Sequence, residues 1–309
     1  MTNAAIILAT KPFTGTPGPL AVAQWLAVRE GRPLRLVCLL DPSEGGGEES
    51  GVVLPPRYVE EDRDWIAKRI DVALHQSPYA RLETHVEVVD GSVPGTLERL
   101  AHEDNGSLLV MGSGRGGGLR GPLAQRVLRT ARLPLLIVPS EASAHPLRRA
   151  IVAIDFTDTS ARAAVHVLPL MASEGRLTLC HVRPRRQEMD RNAPSLPAYA
   201  AQCAGAFGRI VRSLPLAPGV SVDTIVLEGD VAATIAKLVV DRRADILVCG
   251  RRSPGASNAR LLGSVSSRLV RQARIPVLVA PDVSHHEHAV PEWGAAGRRH
   301  DGLAIRPVG

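Results

Sequence analysis

One segment of this chain occurs twice, and that repeat limits the fold more than any other feature. VVDGSVPGTLERLAHEDNGSLLVMG, starting at Val88, aligns without a gap to VLEGDVAATIAKLVVDRRADILVCG, starting at Val226. Eight of the twenty-five positions are identical, among them Gly91 with Gly229 and Gly112 with Gly250. The flanks agree: IILAT from Ile6 pairs with IVAID from Ile151, and LPLLIVPS from Leu133 pairs with IPVLVAPD from Ile275. LRLVCLLDP carries Cys38 where RLTLCHVRP carries Cys180. Self-similarity on this scale means one supersecondary unit used twice. Each copy spans about 140 residues, an ordinary domain size. The expected domains are residues 1–141 and 148–282, followed by a tail at 283–309 that lacks periodicity and is expected to be disordered.

Within each copy, short apolar runs alternate with segments of helical spacing. This predicts two tandem doubly wound α/β domains, with parallel strands and helices on both faces of each sheet. In the first copy the expected strands are Ala5–Ala9, Leu34–Leu40, His85–Val89, Leu108–Met111 and Leu135–Val138. Helices are expected around Leu20–Arg29, Arg57–His75, Val93–His102 and Leu123–Ala131. In the second copy the strands are Ile151–Ile154, Leu177–Val182, Ser221–Leu227, Ile246–Cys249 and Ile275–Ala280. Helices are expected near Asp158–Ala172 and Tyr199–Leu214, around Ile235, Leu238 and Val239, and after Gly263. Pro169 should kink or shorten the first of these. In such sheets ligands bind beyond the carboxyl ends of the strands, where the strand order reverses.

The second copy carries chemistry at that end. Gly250 follows a buried strand and lets the backbone turn and approach a ligand, because it has no Cβ. A basic loop runs from Arg251 to Arg260, and Gly263 and Ser264 open a helix with Val265, Leu269 and Val270 on its apolar face. Ser264 is a candidate N-cap. The unpaired N–H groups and positive dipole end of such a helix favour a phosphate. Asp155 follows the first strand, where a carboxylate can accept hydrogen bonds from a ligand; a turn or helix-capping role is the common alternative.

The spacing Gly250, Arg251-Arg252, Ser253, nine residues, Gly263, Ser264 resembles the nucleotide loop of universal stress proteins. That family's pattern is Gly, two residues, Gly, nine residues, Gly, then Ser or Thr. Ser253 stands where the pattern has its second glycine, and serine disfavours φ > 0. The resemblance covers roughly residues 4 to 282 as a tandem pair and implies a five-stranded, adenine nucleotide alpha hydrolase-like sheet in each half. It further implies that the second half binds ATP, with Mg2+ on the phosphates. Ala153, Asp155, His181 and Val182 would frame the nucleoside. Gly250, Ser253, Gly263, Ser264 and Val265 would supply ribose and phosphate contacts, with Arg252 adding charge. The resemblance also implies pairing of the two halves as a pseudo-dimer, and dimers of the whole chain.

The first copy departs at each of these places. Thr10 stands where Asp155 stands, the loop after Gly112 is four residues shorter, and Pro122 replaces Ser264. Proline removes a hydroxyl and a backbone donor. This half is expected to be degenerate, with weak or no nucleotide binding. GSGRGG, Gly112–Gly117, matches GxGxxG literally, but Gly118, Gly121 and Pro122 follow in place of an opening helix, so a dinucleotide site is not expected.

A net charge of +6 suits an anionic ligand, although solvated surface charge explains most of it. No basic stretch is interleaved with aromatics, so a nucleic-acid partner is not expected. Cys38, Cys180, Cys203 and Cys249 match no zinc spacing and read as buried thiols of a reducing compartment. His285, His286 and His288 fall in the tail and read as part of a polar segment. No run reaches transmembrane length and the N-terminus lacks a basic signal region, so a cytoplasmic protein is expected. There is no GxxxxGK[ST] and no nucleophile–base pair at motif spacing. A regulatory adenine-nucleotide binder of the stress response is therefore expected, with slow ATP hydrolysis at most. The alternative is a nucleotide-free interaction protein that acts through dimerisation or partner contacts.

Overall fold

The computed structural model describes residues 4–10, 17–40, 60–75, 77–90, 95–96, 99–100, 108–113, 133–185, 194–251, 264–281 and 306–307. The chain divides into two compact units, Met1–His145 and Pro146–Gly309.

The N-terminal unit is built from β1 (Ile6–Thr10), α1 (Pro17–Glu30), β2 (Leu34–Leu40), α2 (Glu60–His75), β3 (Thr84–Asp90), β4 (Leu108–Gly112) and β5 (Leu135–Val138). Its strands run in the order β5-β4-β1-β2-β3, and every pairing is parallel. Ile6, Ile7, Leu34, Leu109 and Leu135 are fully buried. With aromatics at only 3%, branched aliphatic side chains fill this core, and burial on both faces is why its strands read as continuous apolar runs. Of the predicted helix Val93–His102, the described residues 95–96 and 99–100 are helical; the predicted helix Leu123–Ala131 lies outside the described residues.

The C-terminal unit contains β6 (Leu147–Ala153), α3 (Asp158–Val167), β7 (Met171–Arg183), α4 (Leu196–Ser213), β8 (Ser221–Glu228), α5 (Val231–Asp241), β9 (Ile246–Gly250), α6 (Ser264–Gln272), β10 (Val277–Ala280) and a two-residue β11 (Arg306–Pro307). The order is β11-β8-β7-β6-β9-β10, again parallel. Pro169 shortens the first helix as expected, and two further features differ from the sequence expectation. α3 stops at Val167, because Leu168–Leu170 tightens into a 3₁₀ turn around Pro169, which cannot donate to a helical ladder. β6 and β7 both start earlier than expected, paired from Leu147 and Met171 across a register shift. In the tail, Arg306–Pro307 pairs with Asp223–Thr224 at the β8 edge; residues 282–305 lie outside the described residues.

All four cysteines are free and buried. Burial pushes Cys38, Cys180 and Cys249 up to about 12, which keeps them as thiols at neutral pH. Among the described residues no helix is long and apolar enough to cross a membrane.

Candidate functional site

β6 has β7 on one side and β9 on the other, so the strand order reverses about it. The carboxyl ends of these three strands carry Ala153, Asp155, His181, Val182 and Gly250 to one end of the sheet, where a crevice is expected. Arg252, Ser253 and Gly263 lie outside the described residues. Ser264 is the first residue of α6 rather than the residue before it. Val265 is half-buried, while Leu269 and Val270 anchor the helix in the core.

Asp155 is exposed. Its Oδ1 accepts from the Thr157 N–H at 3.1 Å and from Thr157 Oγ1 at 2.5 Å. Thr157 in turn caps α3, accepting from the Ser160 N–H at 3.3 Å. The turn alternative is therefore realised for Asp155, through one oxygen of an exposed carboxylate, and the cap itself is Thr157.

Gly250 is crowded from the α3 side. A Cβ added there would lie 2.9 Å from Thr159 Cγ2 and 3.1 Å from the Thr159 backbone carbon and oxygen. Only glycine fits where β9 meets the first turn of α3. The Gly250 carbonyl accepts from Ser266 Oγ at 3.0 Å, which ties α6 to the strand end.

Val182 shows what the strand ends leave open. In a parallel ladder, successive residues address their hydrogen-bonding groups to opposite neighbours. The Cys180 carbonyl accepts from Ile154 N–H on the β6 side, at 2.8 Å, and the Arg183 carbonyl accepts from Gly229 N–H on the β8 side, at 3.0 Å. The backbone of Val182 therefore faces the β6 side, past the last ladder pair, Ala153 with Cys180. The next acceptor there is the Ile154 carbonyl, and it takes the His181 Nδ1–H at 2.8 Å instead. Among the described residues the Val182 N–H finds no acceptor.

Sequence reasoning missed the groups around His181. Its ring lies 4.6 Å from that of Phe156 and 5.9 Å from that of Tyr199, and Nε2 is 3.1 Å from the Tyr199 hydroxyl. Phe156 holds φ of 62°, rare for a bulky residue, and its ring also packs edge-on against Phe207 at 5.0 Å. Arg183 is buried, ion-paired to Glu228 at 2.6 Å, bonded to the Pro194 carbonyl at 2.8 Å and stacked 5.0 Å over Tyr199. Burial, helped by Cys203, raises the Tyr199 phenol above its usual value. The aromatic spacing Phe156, His181, Tyr199 crosses three elements, so no local pattern announces it.

In the N-terminal unit, Thr10 and Gly112 end the equivalent strands β1 and β4. At the first turn of α1, a Cβ on Gly18 would lie within 2.6–2.8 Å of the carbonyl oxygens of Pro139, Ser140 and Ala142, and the Gly18 N–H donates to Ser140 at 3.2 Å. A groove of about 890 Å³, lined by residues including Val28, Arg32, Tyr79 and Arg81, opens at the opposite end of that sheet.

The model of the Universal stress protein family matches residues 5–139 and again 146–281. The chain belongs to the universal stress protein family. It is 26% identical over 262 residues to universal stress protein Rv2623 of Mycobacterium tuberculosis, an alignment that covers 80% of this chain and 86% of that one. A second relative from the same organism, universal stress protein Rv1996, is 40% identical over 82 residues. That match spans 26% of this chain and only 25% of the relative's length. Among solved structures, a universal stress protein from Archaeoglobus fulgidus superposes with a TM-score of 0.60 at 17% identity, covering 91% of this chain and 97% of that one. The tandem match and the shared architecture establish two α/β domains of the adenine nucleotide alpha hydrolase-like type.

Proposed function

We propose that the C-terminal domain of this universal stress protein binds ATP or a related adenine nucleotide, with Mg2+ on the phosphates, as part of a stress response. The observation that carries the reading is the open backbone of Val182 on β7, next to the end of β6 that carries Asp155, at the reversal of strand order. An N–H without an acceptor among the described residues, beside the carbonyl of the same residue, matches the donor–acceptor edge of an adenine ring. Asp155, beside Ala153, would accept from the ribose. Gly250, Ser253, Gly263, Ser264 and Val265 would cradle the phosphates at the start of α6, where helix dipole and N–H groups favour anions. Arg252 would add charge.

The N-terminal domain is the degenerate partner in this proposal. Thr10 offers no carboxylate, and the carbonyl oxygens gathered at the first turn of α1 would repel a phosphate. Its role is to pair with the second domain as a pseudo-dimer, and the whole chain forms homodimers in the cytoplasm. With no nucleophile–base pair at the site, turnover amounts to slow hydrolysis at most.

Calorimetric titration of the full chain with ATP, beside the double variant Gly263→Val, Ser264→Pro, tests the site. Binding by the wild type and its loss in the folded variant is the expected result; equal affinities would refute the phosphate cradle. A second reading, a nucleotide-free interaction protein, draws support from Asp155, whose Oδ1 already serves Thr157. It would be favoured by protein that purifies without nucleotide and shows no thermal shift with ATP.

A further inference from the structure

We propose that Tyr199 and His181 are positioning residues that hold the Val182 N–H open for the base, a role that rests on the nucleotide reading above. A carbonyl oxygen can only accept, so the 2.8 Å contact to Ile154 fixes His181 with its proton on Nδ1. In the neutral ring Nε2 is then an acceptor, and the Tyr199 hydroxyl donates to it across 3.1 Å. Both ring nitrogens are engaged inside the protein. His181 therefore acts through Ile154, not by touching the ligand.

The consequence lies in the backbone. In a continuing parallel ladder the Ile154 carbonyl would accept from the Val182 N–H. The imidazole takes that carbonyl instead, and among the described residues the Val182 N–H stays without an acceptor at the strand end. The same clamp spans the neighbours of Asp155 and Val182, so it also fixes the distance between these two proposed contacts. Tyr199 is itself anchored. Arg183 stacks on its ring, and the same guanidinium is held by Glu228 and by the Pro194 carbonyl just before α4. Phe156 closes the other side of the imidazole.

The test uses full-length protein, ATP as the probe, and the variants Tyr199→Phe and His181→Leu. Amide exchange at Val182 is followed by NMR, with affinity from calorimetry. In the wild type the Val182 amide should exchange fast without ATP and slowly with it. Tyr199→Phe removes the hydroxyl that bonds His181 and also meets Cys203, and should weaken ATP binding about threefold to tenfold while the protein stays folded. His181→Leu releases the Ile154 carbonyl, so the Val182 amide should become protected without ATP, and affinity should fall about tenfold or more. A protected Val182 amide in the ATP-free wild type would overturn the proposal, as would Tyr199→Phe affinity within about twofold of wild type. A wild type that binds no ATP overturns the nucleotide reading and this role together, and that failure shows in the wild-type titration alone.

Discussion

Ser266 donates from Oγ to the carbonyl of Gly250 at 3.0 Å, fastening the first turn of α6 to the residue that ends β9. Ser266 is 6% exposed, so the bond is made away from water. Replacing it by alanine leaves a carbonyl without its side-chain partner at a helix–strand junction. We expect Ser266→Ala to lower stability by about 1–2 kcal/mol. Urea unfolding measures this, and a loss below about 0.5 kcal/mol would mean that the junction is held elsewhere.

Gly250→Ala asks for space that the fold does not have. The new methyl would meet the backbone of Thr159 as well as its Cγ2, and backbone cannot rotate aside as a side chain can. The expected cost is about 1–3 kcal/mol. Thr159→Ser in the same chain removes only the Cγ2 contact and should recover part of the loss, as thermal unfolding of the two variants will show. Full recovery would place the clash in the side chain alone.

Arg183 is 2% exposed and Glu228 28%, a pair at the ends of β7 and β8 whose guanidinium is buried and whose carboxylate is partly exposed. Arg183→Met strands the carboxylate and the Pro194 carbonyl and should cost about 3 kcal/mol, because a lone charge near the interior is penalised more than the pair is rewarded. Adding Glu228→Leu removes the stranded charge, so the double variant should regain much of that. If it is no more stable than the single one, packing on Tyr199 outweighs charge here.

His166 sets an acid limb. Burial, with a smaller contribution from the Arg162 charge, pushes its pKa down from 6.5 to about 4. The unfolded chain thus binds the proton first as pH falls. Stability is fully present above about 6.5, declines toward about 4 and loses nothing more from this group below that. The ring is partly exposed, so the loss is about 2 kcal/mol. His166→Gln should flatten the wild-type difference between unfolding free energies at neutral pH and at about pH 4.5; an unchanged slope would assign the limb to other groups.

The site was legible in uneven measure. Asp155, Val182 and Gly250, the contacts proposed above, could be placed at strand ends because each closes an apolar run, and the end of a parallel strand is where a doubly wound sheet exposes ligand contacts. His181 was read from the sequence as framing the base; in the structure both its ring nitrogens are engaged by protein groups. Its neighbour Val182 gave no hint that the Ile154 carbonyl would be diverted to a ring, because that depends on where β6 stops relative to β7. Tyr199, Phe156 and Arg183 were missed, since their contacts link residues 16 to 45 positions apart in the chain.

By itself the sequence determined what repeats: two copies of one unit, the period of each element, and the end of the second sheet that carries a carboxylate and a glycine. These follow from local periodicity and from pairwise likeness, which need no coordinates. Only the tertiary structure decided which backbone groups the sheet consumes and which it leaves open. Hydrogen-bond partners are assigned by the register between strands and by side chains arriving from α4, and neither quantity is written in any single stretch of residues.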